Sequence, residues 1–124
     1  MRNQIHRKEG FTLIELIMVI VVLGILAAVA IPKYFDLQAQ AKEAAEKGTV
    51  AGVRAGIHTS FASTKAFPAT LDAAADGACA PANVCFGTIL SQGGVTSDWS
   101  KAGLIYTGPN GGAYTYTPAT GSFL

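Results

Sequence analysis

Between Phe11 and Ile31 the sequence reads FTLIELIMVIVVLGILAAVAI, apolar except for Thr12, Glu15 and Gly24. Wound as an α-helix, such a run measures roughly 31 Å, close to the hydrocarbon thickness of a bilayer. In lipid a single segment satisfies its own backbone only as a helix. The stretch therefore commits the chain to one bilayer-length helix, and the rest must fold around or beyond it. The lone carboxylate, Glu15, is costly in such surroundings, and an ionisable group placed there points to function.

At 124 residues the chain leaves room for one small domain beside this helix. Half of its residues are hydrophobic and only 14% are charged, which suits a membrane-tethered chain and not a disordered one. Charge is placed unevenly: Arg2, Arg7 and Lys8 outweigh Glu9 ahead of the apolar run, while the remainder is slightly acidic. No basic patch with interleaved aromatics occurs, which argues against nucleic acid as a partner.

A basic leader before an apolar run has three readings. A secretory signal would be cut at the A-x-A site Ala28-Val29-Ala30, releasing a binding module that starts at Ile31. A plain anchor would keep Arg2, Arg7 and Lys8 in the cytoplasm and send the rest across. The third reading cuts on the cytoplasmic side, after Gly10, and retains the whole apolar run.

The string Gly10-Phe-Thr-Leu-Ile-Glu15, preceded by the basic leader and followed by LGILAAVAIPKYFDL, resembles the class III signal of type IV pilins and pseudopilins. That resemblance covers Lys8 to about Leu37 and is highly specific; past residue 60 it is architectural only. It implies cleavage after Gly10 by a prepilin peptidase and N-methylation of the new terminus, Phe11. It also implies a helix that is stored in the bacterial inner membrane and then buried in a filament. A cleaved Phe11 presents an amine with a pKa near 8, largely cationic at neutral pH. Glu15 lies four residues on, on the same helix face, and becomes a docking group for that cation, its own or a neighbouring chain's. The segment Gly24–Pro32 joins a poor helix former to a residue without an N–H. It resembles the stretch that opens in assembled pilins.

Helical periodicity continues to about Phe61. One stripe holds Tyr34, Leu37, Ala41, Ala44 and Gly48, small enough to face other helices closely; the other holds Val50, Val53, Ile57 and Phe61 and faces the following domain. Lys42, Glu43, Glu46, Lys47 and Arg54 read as a solvated face. Gly48, Gly52 and Gly56 recur every four residues, as in closely packed helices, or are merely tolerated. Residues 62–124 are rich in glycine and turn signals. They predict a hairpin of Leu104–Thr107 with Ala113–Thr117, and weaker strands at Phe86–Leu90 and Ser122–Leu124.

If the domain is exported, Cys79 and Cys85 form a disulfide; in the cytosol they would be free thiols or half a metal site, with no His nearby. Trp99 reads as a core anchor. Asp72, Asp76 and Asp98 are too dispersed for a calcium loop, so no metal and no cofactor are expected. His58 has no evident nucleophile partner, so the chain reads as non-catalytic.

The expectation is an α+β pilin fold. It comprises a leader over 1–10, a membrane and filament-core helix over 11–32, its amphipathic continuation over 33–61, and a small disulfide-containing β domain over 62–124. The function implied is a prepilin polymerised into a type IV pilus. Its partners would be the peptidase, copies of itself, an assembly platform and an assembly ATPase. A pseudopilin of a type II secretion system and a secreted module cleaved after Ala30 stand as alternatives.

Overall fold

A computed structural model describes residues 10–124; the expected leader, apart from Gly10, lies outside the described residues. One helix, α1 (Leu13–Thr64), precedes β1 (Gly77–Ala78), β2 (Ser100–Ala102), β3 (Ile105–Thr107), β4 (Ala113–Thr117) and β5 (Ser122–Phe123). The described residues divide into two units, one ending at Gln38 and the other running from Ala39 to Leu124.

The helix runs three residues beyond the expected Phe61. It ends where Lys65 turns left-handed (φ 60°) and donates its N–H to the Phe61 carbonyl at 2.8 Å. This is the αL cap that usually employs glycine. The Phe61 ring, 38% exposed, stacks on Phe67 with centroids 4.5 Å apart and covers the same turn.

In the second unit the five strands form one antiparallel meander in the order β1-β2-β3-β4-β5. The expected hairpin is present, with Tyr106 opposite Tyr114 and Ile105 opposite Thr115. Directly paired residues share a sheet face. Lys101, Tyr106 and Tyr114 therefore point the same way, as do Tyr116 and its partner Phe123. That face packs on Val50, Val53 and Ile57 of α1, with Leu71, Phe86 and Trp99 filling the space between. Trp99 meets Phe86 edge-on at 5.4 Å, the anchor role expected of it. Cys79 and Cys85 are joined in a disulfide, Cα–Cα 5.5 Å, with Cys85 fully buried.

Two expectations are corrected. Phe86–Leu90 is a tight turn, not a strand: Ile89 and Leu90 both donate to the Phe86 carbonyl, and Phe86 is left-handed (φ 59°). Such a backbone costs on the order of 1–3 kcal/mol. Here the Phe86 N–H donates to Asp72 Oδ2 at 2.9 Å while its ring lies wholly in the core. The solvated face is the second correction. Glu43 and Lys47 do pair in solvent, but Glu46 is buried and Arg54 Nε donates to the Phe123 carbonyl at 2.9 Å.

Glu46 Oε2 accepts the Asn110 N–H and Oε1 accepts the Tyr114 hydroxyl, both at 2.7 Å. The β3–β4 loop closes on it through Gly108 and Gly112, where an added Cβ would run into the carboxylate. This hydrogen bond, ahead of burial, raises the Tyr114 phenol above its ordinary pKa. A second buried carboxylate, Asp72, accepts the Lys101 ammonium and the Ala74 N–H on Oδ1. Beside it the Tyr106 hydroxyl is buried without a hydrogen-bond partner, and burial first, then the Asp72 charge, pushes its pKa well up.

Candidate assembly surface

The helix begins with its own signal. Thr12 precedes the first helical residue; its hydroxyl accepts the Glu15 N–H at 3.3 Å and its carbonyl accepts the Leu16 N–H at 3.2 Å. Thr12-Leu-Ile-Glu15 thus has the spacing of a capping box, with the carboxylate in the first turn, where the positive end of the helix dipole favours an anion. Sequence reasoning overlooked Thr12, although the T-x-x-E spacing was legible. Glu15 accordingly has a local reason to be acidic in addition to any partner.

From Phe11, 87% exposed, to Leu37 every large hydrophobic side chain of the single chain is at least 42% exposed. This is the one helix among the described residues long and apolar enough to cross a membrane. From Leu16 to Ile31 no side of it is polar, so that surface is suited to cover by lipid or by other apolar helices. Gly10 is exposed, immediately before the capped turn. Gly24 and Pro32 both lie within continuous helix, and a Cβ at Gly24 would meet nothing within 4 Å. Nothing in this chain therefore requires glycine at position 24.

In the second unit, Asp72, Asp76 and Asp98 do not converge. Asp72 holds Lys101, Asp76 accepts the Gly103 N–H, and Asp98 accepts the Ser97 hydroxyl. Cys79 and Cys85 serve the core.

Residues 5–31 match the prokaryotic N-terminal methylation motif. A fimbrial protein of Moraxella nonliquefaciens is 38% identical over 107 residues, covering 82% of this chain and 66% of that one. The type IV narrow pilus major component of Thermus thermophilus is 45% identical over 62 residues, half of this chain and 53% of its own. The type II secretion system core protein G of Pseudomonas aeruginosa is 37% identical over 67 residues, 54% of this chain and 47% of its own. The chain thus spans about half to two thirds of the length of these relatives. No solved structure matches it. Motif, capped apolar helix and small antiparallel sheet agree: the chain belongs to the family of type IV pilins and pseudopilins.

Proposed function

We propose that this protein is a non-catalytic structural subunit, cleaved after Gly10, N-methylated at Phe11 and polymerised into a type IV pilus. The observation that carries the reading is the helical run from Leu16 to Ile31, apolar around its whole circumference and exposed throughout in the single chain. Before assembly the inner membrane covers it, with the N-terminus cytoplasmic. In the filament other copies replace the lipid. The leader peptidase, an inner-membrane assembly platform and an assembly ATPase are the partners this route needs.

The new Phe11 amine and the Glu15 carboxylate set the axial register. An uncompensated carboxylate among apolar helices gains strongly from a cation, and the amine exists only after cleavage. Glu15 therefore docks a subunit only once it has been processed.

The similarity to core protein G favours a second reading, a pseudopilin of a type II secretion system. N-terminal sequencing of the mature chain tests the processing: methylated Phe11 is expected, and a mature chain starting at Ile31 would replace this reading with a secreted module. Electron microscopy separates the two family readings, since long extracellular fibres made of this chain are expected only of the pilus subunit.

A further inference from the structure

The second unit carries a groove of about 700 Å³ between α1 and the Ile89–Val95 loop. Its floor is Ala45, Gly48, Gly52 and Gly56, and its lining has no charged residue. The glycines are not equivalent. A Cβ at Gly56 would collide with Ile89, so that position lets the loop sit against the helix. A Cβ at Gly52 would make ordinary contact with Leu90, and one at Gly48 would meet nothing. The absence of a side chain at Gly48 therefore keeps space open for something outside this chain.

We infer that the occupant is the Tyr34–Leu37 segment of a second copy; the inference rests on the filament reading and names one of its interfaces. Tyr34, Phe35 and Leu37 are 62%, 63% and 54% exposed. They follow the bilayer-length run, so lipid does not account for covering them. They continue the apolar assembly surface, and the Lys33 and Asp36 charges between them cancel, which suits an uncharged groove. By helical periodicity Tyr34 and Leu37 share a stripe with Ala41, Ala44 and Gly48, large side chains first and small ones after. A stripe graded in this way is complementary to itself only when the copies are staggered. With Tyr34 of one copy beside Gly48–Gly52 of the next, the offset is about four to five helical turns. A staggered, head-to-tail contact does not close on itself, and contacts of that kind build open filaments.

The test uses filaments of the full-length protein. Described cysteines are all paired, so a Tyr34→Cys, Gly48→Cys double variant introduces the thiols of interest. Oxidised filaments should run as a ladder of dimers and higher multimers on a non-reducing denaturing gel, at least tenfold above either single variant. Filaments of normal yield without a ladder would overturn this interface and leave the filament reading intact. A chain that forms no filaments even unmutated would overturn both, and a cross-link to a different protein would replace the second copy as occupant. Gly48→Leu, which fills space unused within the chain, should lower filament yield at least tenfold at an unchanged level of processed subunit. Unchanged yield would overturn the inference.

Discussion

The carboxylate of Glu46, in the second half of the helix, accepts the hydroxyl of Tyr114 from β4 at 2.7 Å, across 68 residues of sequence. With the Asn110 N–H on its other oxygen, it holds the β3–β4 loop to the helix. Glu46→Ala should destabilise the domain by about 1.5–3 kcal/mol, because two part-buried hydrogen bonds to a charged acceptor are lost. Gly112→Ala should cost stability in the wild type and much less in the Glu46→Ala background, since the added methyl meets that carboxylate. Urea denaturation of the detergent-solubilised chain and the double-mutant cycle check both.

The Asp72–Lys101 pair should behave differently from an exposed pair. Asp72 is buried and also accepts the Phe86 N–H, which holds that residue left-handed. Asp72→Ala leaves the Lys101 ammonium without its counter-charge, held only by the Ala74 carbonyl, and the Phe86 N–H without an acceptor, at a cost of about 3–5 kcal/mol. Glu43→Ala, which breaks the solvent-exposed pair with Lys47, should change stability by less than about 0.5 kcal/mol.

Tyr106 gives a pH dependence. Its phenol is held protonated above the ordinary value by burial and by Asp72, and Tyr114 and Tyr116 shift the same way. An acid with a raised folded pKa leaves stability unchanged below the unfolded value, near 10, and removes it as pH rises further. The domain should therefore lose stability steeply above about pH 10. Tyr106→Phe should weaken that alkaline loss. At neutral pH it should be neutral or stabilising by up to about 1–2 kcal/mol, since the hydroxyl it removes has no partner. Thermal melts between pH 7 and 11 measure both effects.

Capping and docking by Glu15 separate through two substitutions. Glu15→Gln keeps a polar group in the capped first turn, whereas Glu15→Leu does not; both lose the charge. Both variants should be processed and accumulate in the membrane, and both should fail to assemble. Filaments of normal yield from Glu15→Gln alone would leave capping as the role. Gly10→Val, by crowding the scissile bond, should instead leave the precursor uncut on an immunoblot.

Gly24–Pro32 is helical throughout in the single chain. In lipid that backbone must remain paired, but packed neighbours in a filament can shield an extended segment. A filament map should show non-helical backbone within 24–32, where each residue lengthens from about 1.5 toward 3.3 Å. Continuous helix through Ile31 would rule it out.

What the residues determined alone is whatever depends on local pattern. The bilayer-length run, the methylation motif over residues 5–31, the Val50/Val53/Ile57 stripe and the β3–β4 hairpin each follow from neighbours within a few residues. The T-x-x-E cap at Thr12 is equally local. The tertiary structure decided which charges are buried. Glu46 looks like its exposed neighbour Glu43 in sequence, and only the arrival of Asn110 and Tyr114 makes it a buried anchor. Phe86–Leu90 has strand-like composition, yet Asp72, 14 residues earlier, supplies the acceptor that turns it. Partners so distant in sequence leave no periodic trace, because a buried polar group is specified by what meets it after folding and not by the segment that carries it.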